Sequence, residues 1–134
     1  MKFIKPPRLN KGDTVAVISP SWGGPSVYPH VYENGLRVLR EHFGLLIKEY
    51  PTAKASADKL LNDPKLRAND INDAFADKGV TAIIASIGGD DGIRVLQYLN
   101  KAIIKKNPKI FIGYSDTTIF NIYINQLGLV SFKT

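Results

Sequence analysis

Short apolar runs rich in β-branched residues recur along the chain, each bounded by turn-forming residues. Residues 14–20 (TVAVISP), 44–50 (GLLIKEY), 80–86 (VTAIIAS) and 109–113 (KIFIG) read as strands, and residues 129–132 (LVSF) as a fifth, edge strand. Helical spacing fills the intervals. Val31, Gly35, Val38, Leu39 and His42 predict a helix over 30–43, with His42 packed on its apolar stripe. Asp63 can cap a second helix, Pro64 suits its first position and Gly79 its end, with Leu66, Ile71, Ala74 and Phe75 as the buried stripe. Residues 93–100 (IRVLQYLN) predict a short helix, and 116–127 a longer one closed by Gly128. That last helix carries Ile119, Phe120, Ile122, Tyr123, Ile124 and Leu127 around most of its circumference, so it should be covered on several sides. Residues 51–62 read as polar and irregular, and 21–29 as a loop dense in Gly, Pro and Ser.

Strand and helix alternate throughout. Near-continuous apolar strands imply cover on both sheet faces, hence a mostly parallel arrangement. The fold class expected is α/β: a mostly parallel sheet of about five strands with helices on both faces, a three-layer domain of flavodoxin-like or Rossmann-like form. Its 134 residues suit one domain. In such sheets ligands bind outside the carboxyl ends of the strands. Three loops rich in small residues follow strand ends there: 19–24 (SPSWGG), 86–92 (SIGGDDG) and 113–116 (GYSD).

The third loop raises the sharpest chemical question. A strand passing directly into a helix through Gly113-Tyr114-Ser115 forces the serine backbone into a tight bend and lifts its hydroxyl above the sheet. It also sets Ser115 at a helix N-terminus, where free N–H groups await an anion. This is the logic of a nucleophile elbow, although Thr117 stands where the usual pattern has a second glycine. The plain alternative is that Ser115 or Asp116 merely caps the helix. Gly88 and Gly89 allow close backbone approach, so an N–H from one of them, with that of Asp116, can form an oxyanion hole. A simple helix-initiating turn capped by Asp90 or Asp91 is the alternative there. A phosphate-cradling loop is disfavoured, because G-x-G-x-x-G is absent and two carboxylates occupy the phosphate position. Ser21, Trp22, Asp90 and Asp91 are the candidate substrate contacts. Trp22 serves equally well as a shield for the core edge.

A serine nucleophile needs a base. His30 and His42 are the local imidazoles; His30 lies nearer the correct sheet end, while His42 reads as a packed side chain. Composition narrows the rest. With no cysteine, disulfides, thiolate catalysis and cysteine-ligated zinc are excluded, and the two histidines form no metal spacing. Neither a metal nor an organic cofactor is expected. The net charge of +6 is spread along the chain; Lys101, Lys105 and Lys106 form its tightest group, in a connector, and no arginine stripe interleaved with aromatics points to nucleic acid. No run approaches the roughly 18 apolar residues of a membrane span, and prolines interrupt the N-terminal segment where a secretory signal needs an apolar core. A cytoplasmic protein is expected.

Three stretches together, GDTVAVISPS (12–21), LRANDINDAFADKGVTAIIASIGGDD (66–91) and NPKIFIGYSDTT (107–118), resemble the LD-carboxypeptidase family of serine peptidases. That family includes muropeptide LD-carboxypeptidases and microcin C self-immunity proteins. The resemblance covers nearly all of residues 9–132. It implies a two-domain enzyme, dimeric when full length, with this sheet as its N-terminal domain. The nucleophile matches Ser115; the oxyanion donors match the backbone of Asp116 and of Gly88 or Gly89. The resemblance further implies that the base is a histidine oriented by a glutamate, both from a C-terminal domain absent from this chain. The fragment alone is then expected to be nearly inactive. Residues 86–91 (SIGGDD) look closer to the microcin immunity branch, whose substrate is a peptidyl- or aminoacyl-nucleotide, than to the muropeptide branch, whose substrate is a small peptide. The rival reading is a non-catalytic flavodoxin-like module that binds a nucleotide or other anion.

Overall fold

The structure, a computed structural model, describes residues 2–133. Within these residues five strands form one sheet: β1 (Thr14–Ile18), β2 (Leu46–Glu49), β3 (Ala82–Ala85), β4 (Ile110–Gly113) and β5 (Phe132–Lys133). Their order is β2-β1-β3-β4-β5, and every pairing is parallel. The registers Val15↔Ala82 and Ala82↔Ile110 align the three central strands. Strand order reverses between β1 and β3, which makes their carboxyl ends the topological switch point. The expected class is therefore the observed one: an all-parallel five-stranded sheet with helices.

Among the described residues six α-helices connect the strands: α1 (Gly24–Val27), α2 (Pro29–Glu41), α3 (Ala57–Asn62), α4 (Pro64–Ala76), α5 (Lys101–Lys106) and α6 (Thr118–Gln126). The main core lies on one sheet face. There Ala16, Ile18, Ile83 and Phe111 meet Ile71, Ala74 and Phe75 of α4, Ile104 of α5, and Phe120 and Ile124 of α6. Phe75 and Phe111 stack with centroids 6.4 Å apart. On the other face α2 lays Leu36 and the half-buried Tyr32 and Leu39 toward Val15, Val17 and Ile47. An apolar groove runs between α1–α2 and the sheet, lined in part by Tyr28, Val31, Ile84 and Ile87. Among the described residues no helix is long and apolar enough to cross a membrane.

Several expected details differ, each for a physical reason. The predicted stripe of α2 meets the sheet only in part: Leu39 is half-buried, but Val31 is 72% exposed along the groove and Val38 and Gly35 are exposed too, and Leu36, outside the predicted stripe, carries the main contact. His42 is exposed at the end of that helix, edge-on to Phe43, rather than packed. Strand β2 is an edge strand with Leu46 60% exposed, so it is not covered on both faces. The polar stretch 51–62 contains α3, started by the Ser56 hydroxyl accepting from Lys59 N–H (3.1 Å) and anchored by fully buried Leu60. The lysine-bearing connector likewise folds as α5, capped by Asn100. The one-turn helix α1 forms inside the loop expected at 21–29. Residues 92–98 form a 3-10 helix in place of an α-helix. Leu129, expected within the last strand, bridges Ile4 instead, and the strand itself starts at Phe132. The second and last helices keep their expected starts or stops: Asp63 caps α4 by accepting from Leu66 N–H (3.0 Å), and Gly128, at φ 87°, turns the chain after α6. Leu66 is only partly buried, however, and α4 stops at Ala76, before Gly79.

That stop is held by Asp77. Its carboxylate pairs with Lys48, accepts from Gly79 N–H (2.9 Å) and accepts from the Tyr50 hydroxyl (3.1 Å). The Lys48 hydrogen bond, then the Gly79 amide, draw the carboxyl down from its ordinary 3.8 to about 2. A carboxyl depressed in the folded state stabilises above the unfolded value and loses that contribution as pH falls through the folded one. Asp77→Asn should therefore lower the urea midpoint at neutral pH, and its difference from wild type should close between pH about 4 and about 2. A difference that is constant with pH would contradict this account.

Candidate active site

The loops after β1, β3 and β4 meet at the switch point. The β4 loop is the tightest. Ser115 has φ 56°, and is the one non-glycine residue with positive φ among the described residues. For an L-residue this left-handed conformation costs roughly 1–2 kcal/mol. The bend is held by Thr117, which is 1% exposed. Its hydroxyl accepts from Tyr114 N–H (2.8 Å) and donates to the Tyr114 carbonyl (2.7 Å). Gly113 has to be small because a methyl group there would stand 2.5 Å from Thr117 Oγ1. So threonine, standing where the usual pattern has a second glycine, closes the turn with two hydrogen bonds. Ser115 emerges exposed at the start of a 3-10 turn (Ser115–Thr117) that runs into α6.

The β3 loop presses on this serine. A methyl group on Gly88 would lie 3.0 Å from Ser115 Cβ, 3.1 Å from Ser115 Oγ and 3.3 Å from the Asp116 nitrogen. Gly88 does not have positive φ, so its smallness serves close approach and not an unusual backbone. Gly89 is pressed the other way: a methyl there would stand 2.2 Å from Ser21 Oγ and 3.0 Å from the Trp22 nitrogen. Trp22 N–H donates to the Gly88 carbonyl (3.1 Å). No hydrogen bond among the described residues uses the N–H of Gly88, Gly89 or Asp116. Backbone donors left open beside an exposed hydroxyl suit a developing negative charge.

The side chains expected at the substrate divide into two groups. Trp22 is 39% exposed, edge-on to Tyr28 with centroids 6.3 Å apart, and Asp90 is exposed at the loop tip. Ser21 and Asp91 are instead committed to the scaffold. Ser21 is 2% exposed and donates to the Asp116 carboxylate, which also accepts from Gly92 N–H (2.9 Å). Asp91 takes a two-pronged hydrogen bond from Arg67 (2.8 and 2.9 Å). Asp116 thus contributes a brace between all three loops as well as its backbone N–H. Behind the β1 loop, Ser19 Oγ lies 2.6 Å from Ser86 Oγ, and Ser19 N–H donates to Thr52, whose own N–H donates to buried Asp70 (2.7 Å). Burial pushes the Asp70 carboxyl upward, more than the bonds from Thr52 pull it down.

Arg67 and Asp70 escaped the sequence reading. Both are on the buried face of α4, at 0% and 2% exposure. The available signal was spacing: Arg67, Ile71 and Ala74 recur at helical intervals, so a charge lies on the apolar stripe and demands a buried counter-charge. His30 and His42 both stand exposed, near opposite ends of α2, and neither hydrogen-bonds Ser115.

Comparison with known proteins identifies the family. A probable murein peptide carboxypeptidase of Bacillus subtilis is 37% identical over 96% of this chain and 39% of its own length. The microcin C7 self-immunity protein MccF of Escherichia coli is 32% identical over 92% of this chain and 36% of its own. The chain thus spans well under half the length of these relatives. A crystal structure of an MccF-like protein from Streptococcus pneumoniae, in complex with AMP, superposes with a TM-score of 0.82 at 31% identity, over 91% of this chain and 37% of that one. Residues 15–134 match the model of the LD-carboxypeptidase N-terminal domain, and the chain belongs to that family.

Proposed function

We propose that this chain is the nucleophile-bearing domain of a serine hydrolase that cleaves a peptide or amide bond. The observation that carries the reading is the exposed Ser115 at φ 56°, with Gly88 pressed against its hydroxyl and unused backbone N–H groups beside it. In the intact enzyme Ser115 Oγ attacks the substrate carbonyl while its proton passes to a histidine. The N–H of Asp116 and that of Gly88 or Gly89 hold the oxyanion. Collapse of the tetrahedral intermediate breaks the C–N bond, and the histidine returns the proton to the leaving amine; water then releases the acyl group. Trp22 and Asp90 face the substrate, and Ser21 and Asp91 hold the loops that present them.

The histidine and its orienting glutamate are proposed to come from a C-terminal domain. The relatives, at more than twice this length, have room for one, and both local imidazoles stand exposed on the surface with no hydrogen bond to Ser115. Residues 1–134 alone should then show almost no turnover. The substrate class is a small peptide or a peptidyl-nucleotide. The AMP held by the S. pneumoniae protein and the SIGGDD loop favour the nucleotide-bearing amide. The homodimer and the cytoplasmic location belong to the same proposal.

A serine-reactive phosphonate applied to the intact protein tests it. Mass spectrometry should find the adduct on the peptide containing Ser115. Saturable nucleotide binding with no adduct would favour the rival, an anion-binding module at the open N–H groups before α6.

A further inference from the structure

We propose that Arg67, which touches none of the reacting groups, is a positioning residue that sets the place of the oxyanion-binding loop. The inference rests on the hydrolase reading above and adds the part that holds its loops in register. Arg67 projects from α4 and is fully buried. Its Nη1 donates to Asp91 Oδ1 (2.8 Å) and to the Pro20 carbonyl (3.2 Å), and its Nη2 donates to Asp91 Oδ2 (2.9 Å). One planar group therefore grips the loop leaving β1 and the loop leaving β3 together. Arg94 adds a third bond to Asp91 (3.1 Å) while its Nη1 also donates to the Leu61 carbonyl (3.0 Å). Burial alone would push the Asp91 carboxyl up, but the hydrogen bonds and charges of Arg67 and Arg94 outweigh it and hold the carboxyl below its ordinary range. The grip stays charged at neutral pH.

The neighbouring residues are pinned in turn. Gly92 N–H is held by the Asp116 carboxylate, and the Gly88 carbonyl by Trp22 N–H. Gly88 and Gly89 are thus strung between Trp22 on one side and the Arg67–Asp91 anchor on the other. Stability is a weak reason to bury this arginine. Among the described residues its Nε finds no partner, and a buried ion pair is often no more stabilising than apolar residues of like volume. A two-pronged guanidinium–carboxylate contact does give fixed distance and orientation, which a lysine does not. The oxyanion donors need that precision, since displacement of about 1 Å costs on the order of 100-fold in rate.

Arg67→Lys keeps the charge and loses the fork. In the intact protein, assayed on the substrate that wild type cleaves, kcat should fall about 10- to 100-fold with KM within about twofold, because the lost precision serves the transition state alone. The rate of phosphonate adduct formation at Ser115, which sets a phosphoryl oxygen among the same oxyanion donors, should fall in parallel. Unfolding midpoints measured alongside restrict the comparison to folded protein. Asp91→Glu, which keeps the pair but moves the carboxylate by one methylene, should give the same split and carries the test if the lysine variant does not fold. A folded variant with wild-type kcat and labelling rate, or with a change in KM alone, overturns the inference. Absence of the Ser115 adduct in wild type would instead sink the hydrolase reading itself.

Discussion

Ser115→Ala in the intact protein should lower kcat for amide cleavage by about 10⁴- to 10⁶-fold, the range seen when a serine nucleophile is removed. Its fold should be unaffected. Ser115 is exposed, and its hydroxyl anchors no hydrogen bond among the described residues. Alanine meets the same backbone strain at φ 56° that serine does, so the two states differ only by an oxygen facing solvent. The unfolding free energy should stay within about 0.5 kcal/mol of wild type. Steady-state assays on a muropeptide and on an aminoacyl-nucleotide amide, each beside a thermal melt, separate the two effects. Retained cleavage of whichever substrate wild type cleaves would remove Ser115 from the mechanism.

Gly88→Ala should have the next largest effect, a loss of about 100- to 1,000-fold in kcat. The backbone at Gly88 is one that alanine can adopt, so the methyl group itself is the perturbation. It would sit 3.1 Å from Ser115 Oγ and 3.3 Å from the Asp116 nitrogen, in the space where a tetrahedral oxygen must fit between those donors. The neighbouring chain has to yield by a few tenths of an ångström, which should cost about 1–2 kcal/mol of stability. If Gly88 served only a tight turn, the melt would shift and kcat per folded molecule would not.

Much of this geometry was legible in the residues. The order of strands and helices followed from β-branched runs separated by helical spacing, and the elbow from a strand and a helix with no room for a loop between them. The parts that escaped share a physical cause. Helices α3 and α5 are six residues each, too short for periodicity to register, and their caps Ser56 and Asn100 read as ordinary loop residues. The burial of Leu36 escaped because Val31 and Val38 are as apolar as it is, while Leu39 fits either stripe. Arg67 was hidden by the habit of assigning charge to the surface, and only the pairing with Asp91, twenty-four residues on, makes its burial tolerable. The roles of Ser21 and Asp91 depend on such long-range partners in the same way.

The hydroxyl of Thr117 has a bearing on how such bends are found. Where a side chain rather than an empty position secures the corner, a text pattern demanding glycine on both flanks passes over it. The durable marker is conformational: a lone serine with inverted backbone sign, followed two places later by a buried group able to bond both the N–H and the carbonyl of the residue before the serine. Surveys keyed to that signature would gather threonine-closed corners alongside glycine-closed ones.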